Sequence, residues 1–294
     1  MTTERKKRNL KSLIILKNLR TDIMKNRRIV FGYILIITGI LLPLYGFFGL
    51  SRGIVLDKRE YRKFMESEVD PKLEDKVEGY NNSIGKESVI VDPFATEEYT
   101  SNYSFMEDPD AIFCYLKIPK LDLVQPVYMD ASNKHMAMGV AHIEGTDLPG
   151  VKKGIRSVIA GHRGYYDAIM FLHLDELFEG DKIYLEWQDR TLEYKVTSKE
   201  IISPWEWDKL VPVEGKNILT LLTCDPLLPP RPKRLLVNAE LLEEEEESDL
   251  IKDDTKVSSN VKRLNNSILF VTGVLIISLC ISLIKFAIYL RKSK

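Results

Sequence analysis

The chain has 294 residues, of which 45% are hydrophobic and 29% charged, a composition typical of folded proteins that excludes a wholly disordered chain. Its formal net charge is only −1, but residues 1–28 carry a net charge of +8 and residues 291–294 carry +3, so the residues between them carry −12. Such an acidic central body argues against nucleic-acid binding there.

Residues 29–50 are predicted to form a transmembrane helix. The run is uncharged and mostly apolar, and at about 1.5 Å per residue it crosses a hydrocarbon core about 30 Å thick. The basic segment 1–28 is then cytoplasmic, because Lys and Arg flank membrane spans on that side. A cleaved signal peptide is the alternative, but the run is long for one, and Pro43, Tyr45 and Phe47 fit a cleavage site poorly.

Residues 51–110 are predicted to form a stalk outside the membrane. They are rich in Glu, Lys, Asn and Ser and show little periodicity, apart from a charged helical pattern at residues 58–68.

Residues 111–242 contain short strand-like runs separated by turn residues, which predict a mainly β domain. The seven predicted strands are residues 111–118, 124–129, 157–160, 182–187, 191–198, 217–223 and 233–242. Two of them alternate apolar and polar residues on either side of Asp189 and Arg190, which predicts a hairpin. Two short helices are predicted, at residues 133–138 and 168–177. We expect a closed β-barrel with one or two short helices, because closure removes exposed strand edges.

The remaining residues are predicted to return the chain to the membrane. An acidic linker, residues 243–267, begins with five consecutive glutamates. Residues 268–290 are the second predicted transmembrane helix, and their one charged residue, Lys285, lies close enough to the end to reach the headgroups. Residues 291–294 form a basic tail, so both termini are predicted to be cytoplasmic. The chain is then a two-pass protein of the cell membrane, and its β domain is extracytoplasmic.

Cys224 is the candidate nucleophile. It closes the predicted strand 217–223, and Pro226 ends that strand, so the thiol should emerge at a strand end. Cys280 lies in the second span, and Cys114 lies in an apolar strand, where a small buried hydrophobe is the ordinary interpretation. A disulfide between Cys114 and Cys224 is the alternative.

A thiol with a pKa of about 8.5 is only a few per cent ionised at neutral pH, so Cys224 needs a histidine or a cation as a partner. His162 is the first candidate, because it follows an apolar strand and has glycines on both sides that allow close approach. His142 is the second candidate, with a structural role favoured. His135 and His173 fall in predicted helices and are interpreted as surface or packing residues.

Arg234 begins the strand after Cys224. If the connection is a hairpin, the two strands are antiparallel and the guanidinium comes near the thiol, where it could stabilise an oxyanion through fixed charged donors. Arg231, close by in sequence, is the alternative.

At these residues the sequence resembles a sortase. The matching motifs, in the family's order, are AGHRG with His162, TLLTC ending in Cys224, and KRLLV with Arg234. The resemblance covers about residues 88–242. It extends to YLKIPKLDLVQPVY and GVAHIEGTDLPG, which are similar to stretches of the pilin-polymerising class C sortases of Gram-positive bacteria, and the second membrane span is also similar to class C.

The resemblance implies a membrane-anchored cysteine transpeptidase. No cofactor is predicted, and a metal is not indicated because the sequence shows no clustered spacing of metal ligands. Cys224 would attack the Thr–Gly bond of an LPxTG-like sorting signal to form a thioester, His162 would transfer protons, and Arg234 would stabilise substrate and oxyanion. The implied partners are pilin or surface-protein sorting signals, an acceptor lysine amine of a pilin subunit, and the lipid bilayer, with no nucleic acid. Two alternatives stay open: a sortase that uses a cell-wall precursor amine, and a non-enzymatic membrane-tethered β-barrel scaffold.

Asp92, Pro93 and Phe94 are similar to the DP-aromatic lid of class C sortases. The resemblance implies that Asp92 pairs with Arg234 while Phe94 covers Cys224. A simple turn in a polar linker is the alternative interpretation, and Asp108-Pro109-Asp110, which lacks the aromatic residue, is a weaker candidate for the lid.

The sequence departs from class C between Cys224 and Arg234, where the chain is rich in proline. Asp225 by itself would oppose ionisation of the neighbouring thiol, so we expect either that His162 and Arg234 outweigh its charge or that Asp225 points away.

Overall fold

The computed structural model describes residues 2–84, 90–94, 108–166, 168–242 and 256–292. The chain divides into two units, one formed by residues 1–51 with 266–294, the other by residues 52–265. Parts of the predicted stalk, at residues 85–89 and 95–107, and most of the predicted linker, at residues 243–255, lie outside the described residues.

The first unit contains most of two long helices, α1 (Thr2–Met65) and α4 (Ser259–Lys292). Within this unit the two helices pack together. The ring of Tyr33 lies 5.3 Å from that of Phe286, and the hydroxyls of Ser51 and Thr272 are 2.7 Å apart. Segments 26–65 of α1 and 259–292 of α4 are each long and apolar enough to cross a membrane.

The second unit is built on a closed barrel of eight strands, in the order β1-β2-β3-β4-β7-β8-β6-β5. The strands are β1 (Cys114–Ile118), β2 (Leu123–Tyr128), β3 (Val140–His142), β4 (Ile155–Ala160), β5 (Lys182–Glu186), β6 (Thr191–Ile202), β7 (Asn217–Asp225) and β8 (Lys233–Leu241). The described residues of this unit also form α2 (Leu73–Ser83), α3 (Asn133–Met138), 3₁₀ turns at Pro119–Leu121, Leu174–Glu176 and Trp207–Leu210, the end of α1 and the start of α4. The prediction of a closed, mainly β barrel is confirmed.

Alternation of apolar residues accounts for the best-predicted part of the barrel. Ile183 on β5 pairs with Tyr194 on β6, and Leu185 pairs with Leu192; all four side chains are buried in the core. Successive residues of a strand face opposite sides, so this period-two pattern fixes which face of each strand points inward. The predicted hairpin is confirmed, as is the presence of all seven predicted strands.

The predicted helix at residues 168–177 is wrong. The segment consists of turns and the single 3₁₀ turn at Leu174–Glu176. Met170 has a φ of 44°, in the left-handed region that interrupts a right-handed helix. The apolar residues that suggested a helix, among them Phe171 and Leu177, are instead buried individually in the barrel core.

Helix α2 lies within the segment predicted as a stalk and packs on the barrel. Its Val77 is part of the buried core, and Leu73 and Tyr80 pack against that core. Asn81 exchanges two hydrogen bonds with the backbone of Leu148, donating to the carbonyl oxygen at 3.0 Å and accepting from the amide at 2.7 Å. This part of the segment therefore belongs to the barrel domain.

Helix α4 begins at Ser259, before the predicted start of the second span at residue 268. Val257 and Val261 pack against the barrel core, and the amide of Ser258 donates to the carbonyl of Lys120 at 2.8 Å. The chain is thus already attached to the barrel at residues predicted to be linker.

Candidate active site

Three strands bring the candidate residues to one end of the barrel. β7 and β8 are antiparallel, as predicted, and Cys224 lies directly opposite Arg234 in their register. On its other side β7 pairs in parallel with β4, whose last residue, Ala160, lies opposite Leu222. Because parallel strands end at the same edge of a sheet, His162 leaves β4 at the edge where Cys224 lies.

Arg234 is only 5% exposed, and its guanidinium donates hydrogen bonds to a carboxylate and to two backbone carbonyls. Its Nη2 and Nε donate to Oδ2 of Asp92 at 2.6 and 3.1 Å, and its Nη1 donates to the carbonyls of Lys233 and Arg231 at 2.8 and 3.3 Å. The ion pair that the lid resemblance implied between Asp92 and Arg234 is present in the structure.

Phe94 extends this arrangement to His162. Its ring lies 5.6 Å from the imidazole in an edge-to-face arrangement and 5.2 Å from the guanidinium carbon of Arg234. The amide of Phe94 donates to the Asp92 carboxylate at 3.0 Å across the buried Pro93, so residues 92–94 form a compact turn. Phe94 therefore joins the surroundings of His162 to those of Arg234.

The pKa of the Cys224 thiol is raised, first because the side chain is buried and only 9% exposed. The charge of Arg234 lowers this pKa, Asp92 raises it, and Arg231 and Arg163 lower it. The pKa of His162 is lowered, first by burial and then by the charge of Arg231. The two pKa shifts favour the neutral form of the Cys224 thiol and the neutral form of the His162 imidazole.

Arg163 was not among the predicted site residues, yet it contacts the residue after the candidate nucleophile. Its Nη1 donates to Oδ1 of Asp225 at 3.2 Å. The Asp225 carboxylate is therefore bound by Arg163, a cation that the sequence analysis did not name. The sequence signal for Arg163 was its position next to His162, but its partner could be identified only in the folded chain.

Tyr165 is a second residue that sequence reasoning missed. Its ring stacks on the imidazole of His162, with centroids 4.7 Å apart and planes 19° from parallel. His162 is thus in contact with an aromatic ring from its own loop and with Phe94.

Arg231 lies on the connection between β7 and β8. Its Nε and Nη2 both donate to the carbonyl of Leu227, at 3.1 and 2.8 Å, and the residue is half-buried. In the register of β7 and β8, the residue opposite Cys224 is Arg234 and not the alternative, Arg231.

The other histidines have structural surroundings. His142 is buried on β3, with Nε2 2.9 Å from the carbonyl oxygen of Asp147, and burial lowers its pKa to about 4. His135 is buried and stacks on Tyr128, with its two ring nitrogens near carboxylates, and Nδ1 of His173 lies 3.0 Å from Glu176.

All three thiols are free, so the alternative disulfide between Cys114 and Cys224 is absent. Cys114 is fully buried in β1, and this burial raises its pKa. Cys280 is exposed on α4.

Comparison with known proteins gives a family match over the barrel. A family model described as the sortase domain matches residues 116–242. The chain is similar to sortase C-3 of Streptococcus pneumoniae, with 43% identity and a TM-score of 0.61 over 63% of this chain and 90% of that structure. It is also similar to a Streptococcus pneumoniae sortase C whose structure was studied for catalysis and pilin substrate specificity, with 28% identity and a TM-score of 0.56 over 63% and 95% of the two chains.

Among curated proteins the chain is similar to sortase A of Bacillus anthracis. The two are 31% identical over 117 residues, which cover 40% of this chain and 54% of that protein. The chain spans about half the length of the curated relatives it matches.

Proposed function

Because this chain belongs to the sortase family and is of the class C type, we propose that it is a cysteine transpeptidase that joins a pilin sorting signal to a lysine amine of a second pilin. The observation that carries the proposal is the placement of Cys224 opposite Arg234 on neighbouring strands, with Phe94 in contact with both Arg234 and His162. A thiol, an imidazole and a guanidinium at one barrel end suit acyl transfer through a thioester.

In the acylation step the Cys224 thiol gives its proton to neutral His162, and the resulting thiolate attacks the threonine carbonyl carbon of the sorting signal. The carbonyl oxygen becomes an oxyanion, which the guanidinium of Arg234 stabilises with donors that are already oriented. The carbon–nitrogen bond to glycine then breaks, His162 gives its proton to the leaving amine, and the acyl group remains on sulfur as a thioester.

In the transfer step a lysine amine attacks the thioester carbon. Neutral His162 accepts the proton that the amine loses, the carbon–sulfur bond breaks, and Cys224 is restored while an isopeptide bond forms. The lowered pKa of His162 suits this step, because it keeps the imidazole neutral and able to accept a proton.

The turn formed by Asp92, Pro93 and Phe94 acts as a lid that limits reactivity at rest. Asp92 occupies the donors of Arg234 that an oxyanion would need, and its charge raises the pKa of Cys224. Withdrawal of residues 92–94 would free Arg234 and favour the thiolate. The sorting signal would therefore have to displace the lid.

Membrane attachment through α1 and α4 completes the proposal. Both helices contain segments with the length and composition of a membrane span, and Lys and Arg lie on the outer side of each. The barrel domain would then face outward, where pilin subunits are joined.

A pilin lysine is the proposed acceptor because class C resemblance extends over the barrel and the lid, and because one similar sortase C was studied for pilin substrate specificity. A cell-wall precursor amine is the second candidate, because the curated relatives include several sortase A proteins.

The direct test is incubation of the full chain in detergent with an LPxTG peptide, followed by mass spectrometry. We expect an acyl adduct on Cys224, absent with a scrambled peptide, and its transfer to a lysine-containing pilin peptide. Transfer only to an amine that mimics the cell-wall precursor would favour the second candidate, and no adduct with any sorting peptide would favour the scaffold.

The lid predicts that Asp92→Ala makes Cys224 react faster with iodoacetamide. Asp92 raises the pKa of the thiol, so its removal should lower that pKa and move the labelling profile toward lower pH, by roughly tenfold in rate for each pKa unit. Phe94→Ala should also raise the rate by uncovering the site, and Asp92→Asn tests the charge without removing the side chain.

Asp108→Ala is the matched control for the lid, because it alters the Asp-Pro pair that lacks an aromatic residue. Its labelling rate should equal that of the unmodified chain. Equal rates for Asp92→Ala and the unmodified chain would contradict the lid, and a faster rate for Asp108→Ala would transfer the role to residues 108–110.

A further inference from the structure

The parallel pair β4 and β7 continues as a series of hydrogen bonds beyond its last paired residues. The amide of Gly161 donates to the carbonyl of Leu222 at 3.0 Å, and the hydroxyl of Thr223 donates to the carbonyl of Gly161 at 2.7 Å. These bonds attach the backbone just before His162 to the backbone just before Cys224.

Arg163 continues this series one residue further. Its Nη1 donates to the carbonyl of Cys224 at 3.4 Å and to Oδ1 of Asp225 at 3.2 Å, and its Nη2 lies 2.9 Å from Oδ1 of Asp175. Arg163 directly follows His162, and Asp225 directly follows Cys224. The ion pair therefore joins the two chain segments that carry the imidazole and the thiol.

The burial of these groups indicates which contact matters most. The side chain of Arg163 is 3% exposed and that of Asp225 is 19% exposed, whereas that of Asp175 is 54% exposed, so solvent screens the Asp175 pair. The Nε of Arg163 is buried and has no hydrogen-bond partner among the residues that the structure describes. The pair with Asp225, which is better shielded from solvent than the pair with Asp175, is therefore the stronger of the two contacts.

We propose that Arg163 is a positioning residue, which holds the end of β7 that carries the Cys224 sulfur in register with His162 by binding the Cys224 carbonyl and the Asp225 carboxylate. Its effect on turnover rests on the proposed function, whereas its effect on the relation between the thiol and the imidazole does not.

The charges that face Cys224 come from four directions. They are Arg234 on β8, Asp92 on the lid, Arg231 on the β7–β8 connection, and Arg163 after β4. Arg163 also binds the backbone carbonyl of Cys224, so its loss changes a position as well as a charge.

The first experiment needs no sorting peptide. Iodoacetamide labelling of Cys224 is followed by mass spectrometry across pH in the full chain, in His162→Ala, in Arg163→Gln and in the double variant. In the chain that keeps Arg163, we expect His162→Ala to change the labelling rate of Cys224 by about tenfold, because the imidazole partners the thiol. In the Arg163→Gln background the same change should be less than about twofold, because the two groups are no longer in register.

The matched control is Arg156→Gln. Arg156 is also a buried arginine, on β4, but its Nη1 donates to Thr220, four residues before Cys224 on β7, and to Asn238, four residues after Arg234 on β8. Its replacement removes a buried guanidinium from the barrel without touching the Cys224 backbone. In this background His162→Ala should keep its full effect on labelling.

Turnover gives the second measurement. With a sorting peptide as substrate, Arg163→Gln should lower kcat by roughly 100-fold, the effect of a displacement of about 1 Å, while KM changes less than about twofold. Arg163→Lys should restore part of kcat by keeping the charge. Asp225→Asn, which keeps the side-chain shape, should also lower kcat, and it replaces Arg163→Gln if that variant fails to fold.

The positioning role would be overturned if His162→Ala changed the labelling rate of Cys224 equally with and without Arg163→Gln. It would also be overturned if His162→Ala changed the rate in neither background. A normal kcat for Arg163→Gln would overturn it too. Failure of the unmodified chain to process any sorting peptide would instead contradict the proposed function, and the labelling comparison would still decide whether Arg163 couples the two groups.

Discussion

Cys224→Ala should abolish acyl-adduct formation and the joining of pilins, with a fall in rate of roughly 10⁴-fold or more, as expected when a covalent nucleophile is removed. The methyl group that remains cannot form a thioester, and no neighbouring residue supplies a second thiol, because Cys114 is fully buried in β1 and Cys280 lies on α4. The measurements are adduct mass in vitro and high-molecular-weight pilin polymers on cells that carry only the variant.

Cys280→Ala is the matched control, since it removes a thiol from a helix outside the barrel. It should leave both adduct and polymer formation intact. Pilin polymers that persist on cells with only Cys224→Ala would overturn the transpeptidase and favour a non-enzymatic scaffold.

The strands were predictable where burial alternates along them. On β5 and β6 the alternation gave the hairpin directly, because each inward residue, such as Leu185 or Leu192, is apolar and its neighbours are mostly polar. By contrast β3 has only three residues, all buried, and no alternation distinguishes it from a loop. Its position depends on pairing with β2 and β4, which is information from distant parts of the chain.

The helical errors have equally specific causes. Leu73, Val77 and Tyr80 lie at helical spacing, but they are three apolar residues in a strongly charged segment, so α2 carried a weak signal. Residues 168–177 carried a strong apolar signal that the left-handed conformation of Met170 contradicts. Tertiary burial, rather than local periodicity, determines both segments.

For the candidate site, motifs located residues but not their partners. The placement of Arg234 opposite Cys224 followed from assuming a hairpin, because two strands joined in this way must be antiparallel. The contact between Arg163 and Asp225 joins residues far apart in sequence, and nothing in either local pattern indicates it. Catalytic roles for these residues remain predictions that the variants test.

Arg234→Gln should lower kcat for acyl transfer by roughly 10² to 10³-fold, the usual cost of losing one preorganised oxyanion donor. The charge of Arg234 also lowers the pKa of Cys224, so its removal should raise that pKa and move the labelling profile of the thiol toward higher pH. Arg231→Gln provides the contrast. Its guanidinium is bonded to the carbonyl of Leu227, and Arg234 rather than Arg231 lies opposite Cys224, so loss of Arg231 should cost only a few-fold. A larger loss for Arg231→Gln than for Arg234→Gln would transfer the proposed role to Arg231.

Arg234→Gln should also destabilise the resting protein. It leaves the Asp92 carboxylate, which is 7% exposed, without its cation. Breaking a buried pair by removing one partner costs about 3–5 kcal/mol, so the thermal unfolding midpoint in detergent should fall. Adding Asp92→Asn should restore much of that midpoint, since the unpaired charge is gone, but it should not restore acyl transfer, since the oxyanion donor is still missing. Stability and turnover would then separate. If the double variant regained both the unfolding midpoint and acyl transfer, Arg234 would serve only to hold the lid. If it regained neither, the damage would lie in the end of the barrel itself and not in the broken Asp92–Arg234 pair.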